Sequence, residues 1–110
     1  MDAAAGKVLN ALSDDHLDED TLVIFTSDHG VGMPLAKGTL YDPGVKIPLI
    51  VRWKGHADGG RRFKGLTANV DLLPTILDAV GEEGRIPVGL DGHSLWPFVS
   101  RGENVSHDQI

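Results

Sequence analysis

The chain has 110 residues, of which 41% are hydrophobic and 24% are charged, a composition typical of one soluble globular domain. Its net charge of −6 argues against a nucleic acid partner, because binding a polyanion requires a surplus of Lys and Arg. The absence of cysteine excludes a disulfide framework, a thiolate metal site and a thiol nucleophile. No signal peptide and no membrane span is expected, and the sequence leaves the cellular location open.

The first half of the chain predicts one helix and two short strands. Apolar residues at positions 5, 8, 9 and 12 share one helical face and predict a helix that ends near Ser13. The acidic stretch at 13–20 is interpreted as a solvated loop. Residues 22–25 and 49–51 are apolar without alternation, which predicts strands buried on both faces. The Gly- and Pro-rich segment 27–46 between them is expected to be a long loop, and loops of this length are more often functional or disordered than ordinary connections.

The second half predicts a helix and a short apolar element. Asp71 is the expected N-cap of a helix whose apolar residues share one face, and Gly81 is its expected stop. Residues 94–99 form the apolar element. The apolar residues of the predicted helix after Asp71 are Leu72, Leu73, Ile76, Leu77 and Val80.

Two strands buried on both faces require neighbouring strands and covering helices, whereas sheets usually have four to six strands. From its two strands, the sequence therefore predicts a piece of a larger α/β sheet.

Asp28 and His29 are the first candidate site residues, because they directly follow the first predicted strand. Open α/β sheets place their ligands at this edge. A carboxylate beside an imidazole offers two metal ligands, and Gly30 allows a sharp turn behind them. On the dipeptide alone, the simpler interpretation is that Asp28 caps the following turn and His29 packs against it.

Four ordered segments extend this pattern over roughly residues 5 to 100. They are TLVIFTSDHG at 21–30, KGTLYDPGVKIPLIV at 37–51, VDLLPTIL at 70–77 and GLDGHSL at 89–95. Together they resemble the sulfatases of the alkaline phosphatase superfamily, whereas each alone would be weak. The stretch between Gly30 and Lys37 most resembles the heparan N-sulfatase-like members.

The resemblance implies a fold and a set of site residues. The fold is the C-terminal portion of an alkaline phosphatase-like α/β sandwich, with helices on both faces of a central sheet. Asp28 matches a metal-ligand aspartate, and His29 matches the next position, which also faces the metal. Lys37 matches the lysine that contacts the sulfate group, so it is both the catalytic and the substrate-binding candidate. The remaining matches, namely Tyr41, Asp42, Gly44 and Pro48, are interpreted as architectural, with Tyr41 packed and its hydroxyl satisfied.

The resemblance also implies cofactors that this chain carries only in part. The family's metal is Ca²⁺, although the nitrogen of His29 suits Mn²⁺ or Zn²⁺ better. Its nucleophile is a formylglycine made from a C-x-P-S-R or S-x-P-S-R motif, and neither motif is present here. The Asp-Asp pair that completes the metal site is also missing, because Asp14 and Asp15 lie in the polar turn. Residues 1–110 are therefore expected to be a partial catalytic domain without its nucleophile segment, and inactive alone.

The implied reaction is the hydrolysis of a sulfuric ester or sulfamate in a sulfated small molecule or glycan. Two alternatives remain open. Phosphonate monoester and phosphodiester hydrolases of the same superfamily share an Asp-His pair after the strand. The chain could instead be a stand-alone, non-catalytic domain that binds a metal or a partner. Exposed sheet edges further predict self-association of the isolated chain.

Overall fold

A computed structural model describes residues 2–105 and 107. The chain divides into two compact units, Met1–Lys54 and Gly55–Ile110. The first unit contains, in order, helix α1 (Asp2–Asp14), strand β1 (Val23–Thr26), the short helix α2 (Asp42–Val45) and strand β2 (Leu49–Arg52). The second contains helices α3 (Leu72–Ala79) and α4 (Trp96–Arg101), with 3-10 turns at Asn69–Asp71 and Glu83–Arg85. Within the described residues, no helix is long and apolar enough to cross a membrane.

The two strands pair in antiparallel fashion, with Val23 opposite Arg52 and Thr26 opposite Leu49. Both strands and the end of α1 lie within a residue or two of their predicted positions. Within this chain the strands are not covered on both faces, as expected for a piece of a larger sheet. No strand residue is fully buried, and Ile50 is 59% exposed. Apolar composition correctly indicated the strands, but among the described residues no element covers both of their faces.

The acidic stretch that precedes β1 differs from its prediction at one residue. Asp18 is only 5% exposed, whereas the sequence predicted a solvated loop. Arg52 Nη2 lies 3.0 Å from Asp18 Oδ1, and Lys54 Nζ lies 3.4 Å from Oδ2. The hydrogen bond from Arg52 lowers the pKa of the Asp18 carboxyl below its ordinary value, although burial acts in the opposite direction. This ion-paired cluster joins the end of β2 to the loop after α1.

In the second unit, Asp71 does not cap α3 as predicted. Its own backbone is helical, with φ −76° and ψ −15°, and its side chain makes no cap hydrogen bond to α3. Asp71 instead ends the 3-10 turn, where its Oδ2 accepts the Ala68 N–H at 2.8 Å. The predicted stop of α3 is confirmed, because the helix ends just before Gly81, whose φ of 76° favours glycine.

The packed interior of each unit is small. Ala36 in the first unit and Leu95 in the second are the buried hydrophobic residues among those described, at 3% and 6% exposed. Helix α3 turns Pro74 and Thr75 inward rather than its longest apolar side chains. The exposed apolar residues of α3 and its C-cap are Leu73, Ile76 and Val80, which are between 40% and 53% exposed.

Candidate functional site

Asp28 and His29 lie just beyond the end of β1, as the sequence predicted. His29 Nδ1 is 2.7 Å from the carbonyl oxygen of Gly30. Because a carbonyl can only accept, Nδ1 carries the proton in this contact, and Nε2 of the neutral ring keeps its lone pair. Nε2 lies 3.6 Å from Asp28 Oδ1. The Asp28 oxygen and the His29 nitrogen are therefore close enough to bind one cation together.

The pair fits part of a metal site. It combines a carboxylate oxygen with an imidazole nitrogen, and the side chains are 87% and 37% exposed, so an ion can reach both. The Gly30 carbonyl orients the His29 ring in the way that outer-shell partners orient metal-bound histidines. Among the described residues, one cluster of three potential metal ligands is found, and it does not include Asp28 or His29. The geometry of Asp28 and His29 is that of two ligands, and an ion site needs more.

The backbone behind this pair packs tightly against α2. The Gly30 N–H donates to the Gly44 carbonyl, and the Val31 N–H donates to the Pro43 carbonyl, both at 3.0 Å. A Cβ atom at Gly30 would collide with the carbonyl oxygens of Pro43 and Gly44. Glycine is therefore required at position 30 for close approach to another backbone segment.

Lys37 lies in a turn that packs against the same segment. The turn is closed by Thr39, whose N–H and hydroxyl donate to the Ala36 carbonyl at 3.0 and 2.8 Å. A Cβ at Gly44 would collide with the carbonyl oxygens of Ala36 and Thr39. Lys37 itself is exposed and makes no hydrogen bond or ion pair within the described residues. Gly44 therefore contacts both the loop of the Asp-His pair and the turn that carries Lys37.

The architectural residues around Gly44 act through their backbone. Tyr41 is 74% exposed, so the prediction that its ring packs is wrong. Its carbonyl accepts the Gly44 N–H at 2.8 Å, and the Asp42 carbonyl accepts the Lys46 N–H at the same distance. These bonds form the single turn of α2. Side-chain chemistry suggested a packed ring, but the role of this segment is to shape the loop.

A second polar cluster lies in the other unit and was missed from the sequence. It consists of Asp71, His93 and His107. The Asp71 carboxylate is fully buried, and its Oδ1 accepts the His93 backbone N–H at 2.8 Å and His107 Nε2 at 2.6 Å. A Cβ at Gly92 would collide with the Val70 carbonyl, so glycine lets this segment approach Asp71. The members are far apart in sequence, and no local pattern joins them.

Comparisons with known proteins relate the chain to one family. The family model described as Sulfatase matches residues 1–82. Human N-sulphoglucosamine sulphohydrolase is 43% identical over 105 residues, which span 88% of this chain and 21% of that protein. A solved Bacteroides fragilis structure described as a sulfatase has a TM-score of 0.84 and 30% identity, over 94% of this chain and 23% of its own.

A further solved structure contains a bound substrate, D-glucosamine-2-N,6-O-disulfate. It matches with a TM-score of 0.80 and 28% identity, and covers 94% of this chain and 21% of its own. The chain therefore spans about a fifth of the length of the proteins that it matches.

Proposed function

Because the chain belongs to the sulfatase family and shares its alkaline phosphatase-like α/β fold, we propose that it is the C-terminal part of the catalytic domain of a metal-dependent sulfatase. The proposed reaction is hydrolysis of a sulfuric ester or sulfamate. One observation carries this proposal: the Asp-His pair and the turn of Lys37 pack against the same residue, Gly44.

In this proposal, Asp28 and His29 contribute two ligands to a divalent cation. The family implies Ca²⁺, and the His29 nitrogen also suits Mn²⁺ or Zn²⁺. When bound, such an ion offsets negative charge on the oxygens of a sulfuryl group. The formylglycine nucleophile of the family is not encoded in these residues and belongs to another part of the catalytic domain.

Lys37 is proposed to contact a sulfuryl oxygen through its ammonium group. Its exposure supports this role, because an ammonium without a protein partner is available to an anionic ligand. A compact positive charge offsets the negative charge of these oxygens while the S–O or S–N bond breaks.

The proposed substrate is a sulfated amino sugar. The 43% identical human relative is named for sulphoglucosamine, and a solved neighbour holds a disulfated glucosamine. Both likenesses include the segment that carries the three candidate residues, since each covers most of this chain.

The test begins upstream of the codon for Met1, where we expect in-frame coding sequence with a C-x-P-S-R or S-x-P-S-R motif. The protein that contains both parts, purified with its modified nucleophile, should release sulfate from glucosamine N-sulfate. Lys37→Ala should lower kcat/KM about 10²- to 10³-fold, the usual loss when one stabilising donor is removed. Lys64→Ala is the matched control, because it removes an exposed lysine from the other unit.

Three results would contradict the proposal. An unchanged kcat/KM in both Lys37→Ala and Asp28→Ala would remove these residues from the site. Hydrolysis of a phosphonate monoester without any sulfate release would favour the phosphonate hydrolases of the superfamily. If no in-frame coding sequence lies upstream of the Met1 codon, the chain is better interpreted as a stand-alone binding domain.

A further inference from the structure

The hydrogen bonds of the cluster of Asp71, His93 and His107 select one tautomer of the neutral His107 ring. The buried Asp71 carboxylate accepts three hydrogen bonds, from the Ala68 and His93 backbone N–H groups and from His107 Nε2. Since an ionised carboxylate can only accept, the proton of the neutral His107 ring lies on Nε2. Its Nδ1 then carries a lone pair, as in metal-bound histidines whose other nitrogen donates to a carboxylate.

The lone pair of His107 Nδ1 faces a second imidazole nitrogen. His93 Nδ1 lies 3.1 Å away, and the two rings are nearly perpendicular, with an interplanar angle of 79°. Two nitrogens bound to one tetrahedral ion at about 2.0–2.1 Å lie about 3.3 Å apart. The observed separation therefore allows both nitrogens to bind one ion after a small rotation of the exposed His93 ring.

We propose that His93 and His107 bind a first-row transition metal ion such as Zn²⁺ through their Nδ1 atoms. Water completes the coordination on the exposed side of His93. Asp71 acts as a positioning residue that holds the His107 ring and fixes its tautomer. Nitrogen ligands favour Zn²⁺, Ni²⁺ or Cu²⁺ over Ca²⁺ or Mg²⁺.

The bound ion would have a structural role in the second unit. His93 follows Gly92, which lies close to Val70 in the 3-10 turn. His107 lies beyond α4 and forms an isolated antiparallel β-bridge with Leu66. An ion shared by the two rings crosslinks these segments above the buried carboxylate. Because binding requires both rings in their folded positions, it also stabilises the folded unit.

The test is a titration of the 110-residue chain with ZnCl₂, followed by calorimetry and by the thermal midpoint. Because two protein ligands do not make a tight site, we expect one equivalent to bind weakly and the midpoint to rise as Zn²⁺ approaches saturation. His93→Ala should weaken binding at least tenfold and abolish the rise, and His107→Ala should do the same. His56→Ala removes another exposed histidine of the same unit and should change neither result, and His29→Ala separates this site from the Asp-His pair.

Far-UV circular dichroism of each variant without metal establishes that the fold is retained. His93 is the decisive position, because its ring is exposed and its backbone N–H bond to Asp71 survives the substitution. Zn²⁺ binding that is equal in wild type and His93→Ala would overturn the proposal. So would the absence of binding at millimolar Zn²⁺ by a folded wild-type chain, which would leave the two rings as a hydrogen-bonded pair only.

Discussion

Thr75→Val should destabilise the second unit although it adds no strain and removes no volume. The Thr75 side chain is 1% exposed, and its hydroxyl joins two parts of this unit. It donates to the Asp71 carbonyl at 2.6 Å and accepts the Leu95 N–H at 2.8 Å. Valine has nearly the same shape but cannot form either bond.

The expected cost follows from the Leu95 N–H, which stays buried after the substitution. A buried donor without a partner costs about 1–3 kcal/mol, because water cannot replace the lost acceptor. Thr75→Ser keeps both hydrogen bonds and loses one methyl group, at about 1 kcal/mol. An argument from hydrophobic burial alone predicts the opposite order, with valine the more stable variant.

Native-state amide hydrogen exchange is the suitable assay, because it reports on the second unit separately. The Leu95 and α3 amides should exchange roughly 5- to 150-fold faster in Thr75→Val, at about 1.4 kcal/mol per tenfold. Thr67→Val makes the same chemical change at a threonine with no such pair of bonds and should stay within about 0.5 kcal/mol of wild type. If Thr75→Val exchanges no faster than Thr75→Ser, the hydroxyl does not hold α3 to Leu95 and the reasoning is refuted.

The isolated chain should release no sulfate from an aryl sulfate above the buffer rate, because the groups of an active site act as a unit and the nucleophile is not in this chain. Turnover that persists through repurification and scales with protein would contradict this. Ca²⁺ and Mn²⁺ should bind weakly at Asp28 and His29, since two ligands do not make a tight site; calorimetric affinity below a micromolar, abolished by Asp28→Ala, would reveal further ligands. Light scattering on the isolated chain should show self-association and thermal melting should be broad, because apolar residues such as Ile50 are exposed; a sharp melt from a dilute monomer would argue for an independent domain. Asp18→Asn should destabilise the chain at pH 7, where the carboxylate is charged and paired with Arg52. The lowered pKa of Asp18 means that this contribution is present above its ordinary pKa and is lost as the pH falls through the folded value, so the urea midpoints of variant and wild type should converge as the pH is lowered and not diverge.

Local patterns in the sequence predicted the positions of helices and strands better than the burial of their residues. The spacing of apolar residues gave the end of α1 correctly, and apolar runs located β1 and β2. Burial of these strands depends on their neighbours in space, so it could not be inferred from the strands themselves. The Asp-His pair was locatable because it directly follows a strand.

Asp71 shows where local reasoning fails. Aspartate before a run of helix formers is a common N-cap, and this preference predicted its role. The structure instead uses both of its oxygens for Ala68, His93 and His107. Contacts across such sequence separations leave no periodic signal. The exposed ring of Tyr41 was misjudged for the same reason, because burial depends on neighbours that composition does not name.

The backbone contact between Gly30 and Gly44 has a consequence for how variation at this loop can be tolerated. A side chain at either position would meet backbone carbonyl oxygens. A second mutation can shorten a neighbouring side chain, but it cannot remove a backbone carbonyl group. Any substitution must therefore displace a whole segment, and the segment at Gly44 also supports the turn of Lys37. Displacement would change the distance between the Asp-His pair and the lysine without altering any of the three. Loss of activity in variants at these glycines would then result from a changed distance between the Asp-His pair and Lys37, and not from the loss of either side chain.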